Sequence, residues 1–283
     1  MPIVAPARTL HQAIVAKRIR FLDEAPAGAK VLRTFRDPKP CVAVEEEVAF
    51  GDLPAEEEWP EPIDHITAVL IPSEAVAEAK KLSEGWMATP DRDGAISTAA
   101  FALNGQRIQW RPGRLLVQGS PNAFEGILKA VTDFAFYENE LRGLEQTLES
   151  REPQALKDVA WSQRIGFRDR KHWRRFAELT EYFCRMRLTY ARLEPHLVIA
   201  SGTLPRDARQ VMAKVLEEAE ISDRLEAVSN RLEACEDLYE GANDRVADYR
   251  WYIEGRWLEI GITLLLLVEV ALLVTDLSLR HWK

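Results

Sequence analysis

The run Trp257 to Leu279 (WLEIGITLLLLVEVALLVTDLSL) constrains this chain most, because it is apolar over a length that a water-facing helix does not carry. A helix rises about 1.5 Å per residue, so some 20 residues cross a hydrocarbon layer about 30 Å thick. Three acids interrupt the run. Glu259 and Asp276 fall near its ends, within reach of an interface, and Glu269 falls near its middle. On the insertion scale each Leu, Ile or Val contributes about −0.3 to −0.6 kcal/mol and a central acid costs roughly 3 kcal/mol. The thirteen such apolar residues from Ile260 to Leu279 total about −4 to −8 kcal/mol, so the apolar side wins. Trp257 and Trp282 flank the run as interfacial aromatics do. The expectation is one transmembrane helix over residues 256–279 with a tail of residues 280–283; the competing reading is a buried helix of a water-dwelling protein.

No long apolar leader precedes this run and four residues follow it, so a tail anchor is expected. The expected location is the inner (cytoplasmic) membrane, single-pass, with the head in the cytoplasm; the mitochondrial inner membrane is the alternative. Basic residues do not decide orientation, since Arg245, Arg250 and Arg256 precede the run and Arg280 and Lys283 follow it. Glu269 is a candidate inter-helix contact that sets oligomer state, against a snorkelling residue without function. Membrane lipid and a second copy of the chain are the partners this implies.

Ahead of the run, residues 121–255 read as a helical coiled-coil stalk. Phe124, Ile127, Val131, Phe134, Leu141, Leu144 and Leu148 fall on one helical stripe, and Pro153 is expected to limit that helix. A second stripe runs from Phe176 through Tyr190 to Leu197. Ser201 to Pro205 reads as a turn, with Pro205 near a helix start. The third stripe is the longest, with Ile221, Leu225, Val228, Leu232, Tyr239 and Val246 as its core and Ile253 near its end. Alternation over more than four heptads is a coiled-coil pattern. A parallel homodimer would set Arg231 against Glu236 but Arg245 against Arg250, so the flanking charges roughly cancel. The short turn therefore favours an antiparallel hairpin within the chain.

Residues 1–120 read as an α+β head with an antiparallel sheet. Ala13 to Leu22 is a candidate first strand, or alternatively part of a mitochondrial transit peptide rich in arginine and lysine. Cys41 to Val44 is a short strand, and Ile66 to Ile71 (ITAVLI) reads as a strand buried on both faces. Ser73 is placed to cap a helix reaching Trp86. Asn104-Gly105 marks a two-residue hairpin, and Arg111-Pro112-Gly113 a second turn. Glu45 to Pro62 reads as a surface loop.

Chemistry leaves few marks. The chain has no phosphate-binding glycine loop, no HExxH and no GxSxG, its five histidines are scattered, and Cys41, Cys184 and Cys235 form no pair at ligand spacing. No catalytic residue, cofactor or metal is expected. Glu45-Glu46-Glu47 reads as a solvated charge run. The formal net charge of −8 excludes a protein that wraps nucleic acid over its whole surface. One local cluster remains: Arg164, Arg168, Arg170, Lys171, Arg174 and Arg175, interleaved with Phe167, His172 and Trp173. Such a patch suits phosphate, either anionic lipid or RNA, or else is a solvated helix face.

The stretch ISDRLEAVSNRLEACEDLYEGANDRV, leading into RWLEIGITLLLLVEVALLV, resembles the meiotic-nuclear-division family, a family of unknown function that includes the Sif proteins, mitochondrial inner-membrane members and bacterial members. The matching positions are Arg224, Leu225, Asn230, Arg231 and Leu232, then Leu258-Glu259-Ile260, then Glu269-Val270. The resemblance covers residues 121–275. The family's aromatic-Arg-Tyr-Gly strand and its Phe-Phe-Trp element are absent, which marks a divergent member. The resemblance implies an α+β head, a helical stalk, a membrane anchor and, for mitochondrial relatives, support of translation at the membrane; it implies no enzyme. Three readings follow: a non-catalytic, homo-oligomeric membrane scaffold, an RNA- or ribosome-associated tether, and a transport or channel accessory subunit.

Overall fold

The computed structural model describes residues 14–49, 64–87, 98–163 and 170–281. The architecture is α+β: a seven-stranded sheet followed by long helices, the last of which is apolar. Two compact units divide it. The sheet unit comprises Met1–Leu148 and Arg187–Asn230, and the helical unit comprises Glu149–Met186 and Arg231–Lys283.

The strands are β1 (Val15–Leu22), β2 (Lys30–Phe35), β3 (Cys41–Val48), β4 (His65–Ile71), β5 (Ala99–Leu103), β6 (Gln106–Arg111) and β7 (Arg114–Gln118). Their order is β2-β3-β1-β4-β7-β6-β5. The β4–β7 pair is parallel and the others are antiparallel, so the sheet is mixed. β4 is the central strand, and Ile66 through Ile71 are all buried, as its unbroken apolar run requires. Asn104 and Gly105 both have positive φ (50° and 74°) between the paired Leu103 and Gln106, the two-residue turn that matches strand twist.

Two sequence expectations are corrected here. β2 had no counterpart, and Glu45–Glu47 belong to β3 rather than to a loop. The charges are paired across strands: Glu45 with Lys17 (2.7 Å) and Lys30 (3.0 Å), and Glu46 with Arg20 (3.5 Å). Acids tolerated in solvent are equally tolerated in a strand whose neighbours carry lysine and arginine. Residues 50–63 of the expected loop lie outside the described residues.

Helix α1 (Val76–Glu84) covers one sheet face, where Val69, Ile71, Ala75, Ala79, Trp86 and Leu116 share a core. Its cap position is Ala75, with no side-chain cap; Ser73 does not fill that role. Helix α2 (Pro121–Ser162) covers the other face, with Phe134 edge-on to Trp110 at 5.7 Å. Pro153 does not end α2. It is exposed, as is Glu149, whose carbonyl loses its helical donor to the proline and is free to take water.

Helix α3 (Arg170–Val198) and α4 (Arg206–Glu218) follow, then α5 (Ile221–His281). In the sheet unit, Arg224 of α5 grips Glu145 of α2 with two bonds (2.8 and 2.7 Å) and reaches Glu138 (3.1 Å). In the helical unit, Arg231 meets Glu152 (2.7 Å) and Arg245 donates to the Ser162 carbonyl (3.1 Å), so α5 runs parallel to α2. Phe183 and Trp173 of α3 meet Tyr239 and Tyr249 of α5, so those two helices are antiparallel.

Candidate functional site

The helical unit holds both features that the sequence singles out, the basic opening of α3 and the apolar end of α5. Its interior is built on Asp158, 2% exposed on α2. Arg175 donates to one carboxylate oxygen (2.7 Å), Tyr239 donates to the same oxygen (3.1 Å), and Gln154 donates to the other (3.0 Å). Burial first, and then the Asp158 charge, push the Tyr239 hydroxyl far above its ordinary pKa, so it stays a donor. Asp158 was missed by sequence reasoning. A signal existed: Asp158 and Ser162 continue the stripe of Leu141, Leu144 and Leu148, and a polar residue on a core stripe is a buried polar residue.

The basic cluster is thereby divided. Arg164 and Arg168 lie outside the described residues. Arg170 and Lys171 occupy the first turn of α3, which contains no acid. Arg174 is exposed (side chain 89%) and, among the described residues, is bonded along its own helix, to Glu178 at 2.9 Å. Arg175, itself part-exposed, is paired with the buried Asp158. Farther along α3, Arg185 pairs with Glu181 and Arg187 donates to Ser229 (3.1 Å).

The heptad residues of α5 are buried in both units: Ile221, Leu225 and Val228 in the sheet unit, Leu232, Tyr239 and Val246 in the helical unit. Their neighbours belong to the same chain. Tyr190 donates to the Leu225 carbonyl (3.2 Å), and Phe183 stacks on Tyr239 with centroids 5.4 Å apart.

Where α2 ends and α3 begins, Trp161 stacks on His172 (4.7 Å) and Trp173 stands edge-on to Tyr249 (5.7 Å). Beyond Tyr249, α5 loses its cover. Trp251, Tyr252 and Trp257 are 76%, 59% and 69% exposed, and every residue from Glu254 to Thr275 is exposed. Arg256 donates to the Tyr252 hydroxyl (3.3 Å). Glu269 stands among exposed leucines and valines of this stretch. The Thr263 and Thr275 hydroxyls donate to carbonyls of their own helix (2.8 and 2.7 Å), which satisfies them without water. Among the described residues, α5 is the one helix long and apolar enough to cross a membrane.

Among the described residues, no group of three or more His, Cys, Asp or Glu side chains is arranged to hold a metal ion. No family model and no curated protein matches the chain. Among solved structures, the complete CorA magnesium transporter of Methanocaldococcus jannaschii is similar at a TM-score of 0.31 and 11% identity, over 87% of this chain and 80% of that one. A likeness that loose assigns neither fold nor function.

Proposed function

We propose that this chain is a membrane-anchored scaffold or tether without catalytic activity, which recruits a protein partner to the membrane surface. One observation carries the reading. A single unbroken helix contributes its first half to the bundle core and then presents, from Trp257 to Thr275, a mostly apolar stretch of about five turns that no other described residue covers. Water-dwelling monomers rarely expose a contiguous apolar patch beyond a few hundred Å². The same surface in a bilayer is favourable on every side, and the internally bonded backbone of a helix is the form that lipid accepts. The proposed location is the inner (cytoplasmic) membrane.

Homo-oligomerisation belongs to the proposal. A carboxylic acid at membrane depth gains from a hydrogen-bonding partner, and a second copy supplies the same acid at the same level. Membership of the meiotic-nuclear-division family belongs to it too. It rests on the sequence resemblance at Arg224, Leu225, Asn230, Arg231 and Leu232.

Crosslinking in intact membranes, followed by identification of the captured proteins, tests the reading. Self-crosslinks together with membrane proteins are the expected result. Capture of ribosomal proteins and RNA would instead assign the chain to translation at the membrane.

A further inference from the structure

We infer that the end of the helical unit beside the apolar stretch is a second membrane contact, which rests on the headgroup layer and binds anionic phospholipid. The collar of this contact is Trp251, Tyr252 and Trp257, and its cationic part is the opening of α3. The inference rests on the anchor reading above and adds a lipid class to it.

The collar is defined by angle. Successive residues of a helix turn by about 100°, so Tyr252 stands about 100° from Trp251, and Trp257 about 240° from it. The three aromatics thus divide the circumference into sectors of about 100° to 140°, and all three are mostly exposed. A protein groove is met by one stripe at spacings of three and four. Side chains spread around the full circumference match a medium that surrounds the helix. Rings with one polar atom are the side chains favoured at headgroup level.

The level of α3 follows from its contacts with α5. Arg245 and Tyr249 hold the α2–α3 end through the Ser162 carbonyl and the Trp173 ring. Tyr249 precedes Trp251 by two residues, about 3 Å along the axis, which is well inside a Debye length of about 8 Å at physiological salt.

Charge then selects the lipid. From Asp244 to Glu259, α5 carries three arginines and four acids and so supplies no net positive charge. The opening of α3 does, with Arg170, Lys171, Arg174 and Arg175 before its first acid, Glu178. Arg175 is engaged by Asp158, while the Arg174 guanidinium is open to an outside phosphate. RNA offers the same phosphate chemistry, but a patch held within about 12 Å of the base of an apolar helix, beside its aromatic collar, meets lipid first.

The test uses the full chain without its three cysteines, carrying an environment-sensitive fluorophore on Gln163→Cys, an exposed position just after α2. It is inserted into vesicles of phosphatidylcholine, with or without about one third phosphatidylglycerol. Emission is expected to shift to the blue in the anionic vesicles only, and added salt is expected to reverse the shift. Changing Arg170, Lys171 and Arg174 to Glu lowers the ratio of docked to undocked protein by at least five-fold per residue, the order expected for one basic group near an anionic surface. Identical emission in both lipids, in protein that floats with the vesicles, overturns the inference. So does salt-sensitive binding of an RNA oligonucleotide by these residues with no lipid response. Failure to float would overturn the anchor reading itself, and the inference with it.

Discussion

Asp158 stands where the stripe of α2 would place another leucine, and its three donors explain why an acid is tolerated there. A buried carboxylate is stable only while its partners remain, and the partners are equally exposed to its loss. Asp158→Ala is expected to destabilise the helical unit by about 3 kcal/mol, because Arg175 and Tyr239 both lose their acceptor. Tyr239→Phe, which leaves the Arg175 bond in place, is expected to cost about 1 kcal/mol. Urea unfolding in mild detergent measures both, and equal effects of the two changes would contradict the shared role of Asp158. In the sheet unit the corresponding residue is Glu45. Burial works to raise its pKa, but hydrogen bonds from Lys17 and Lys30 outweigh burial and hold the carboxyl below its ordinary 4.5. The unfolded chain then binds the proton more readily, so this contribution to stability is complete above about pH 4.5 and is lost as pH falls through the folded value. The urea midpoint of Glu45→Gln should therefore fall less steeply with acid below that pH than the wild type's. Parallel curves would contradict it.

At the scale of elements, α5 is held to α2 by two arginines of unequal setting. Arg224 is mostly enclosed and forks onto Glu145, while Arg231 and Glu152 are more exposed, at 36% and 53%. Double-mutant cycles should give about 1–2 kcal/mol of coupling for Arg224–Glu145 and below about 0.5 kcal/mol for Arg231–Glu152. Reversal of that order would show that burial does not set the strength. Much of the architecture was legible in the sequence. The unbroken run of β4, the Asn104-Gly105 turn and the three stripes each obey a period that burial imposes. What escaped was charge-paired structure. The end of β3 read as solvated, and β2 was not read at all, because their charged residues find partners on other elements, Glu45 and Glu46 on strands and Arg33 on α2, which no single segment displays. Pro153 misled for a different reason: a proline inside a helix is better tolerated where the carbonyl it orphans can reach water, as at the exposed Glu149. The basic cluster was visible, but the pairing of Arg175 with a buried acid, which Arg174 lacks, depends on Asp158, which lies on another helix.

At the scale of the whole molecule, one helix belongs both to a folded bundle and to an exposed apolar stretch. The apolar stretch is not uniform. Glu269 interrupts it near the middle, and an acid costing roughly 3 kcal/mol there is compensated best by a partner at the same depth. Glu269→Leu is expected to stay in the membrane while its oligomer dissociates in mild detergent, as read by light scattering. An unchanged oligomer would remove the intramembrane contact from the proposal and leave the anchor intact. The anchor itself is tested by alkaline carbonate extraction of membranes carrying the full chain. Retention in the membrane pellet, with release by detergent alone, is the expected result; recovery of the intact chain in the carbonate supernatant would contradict it.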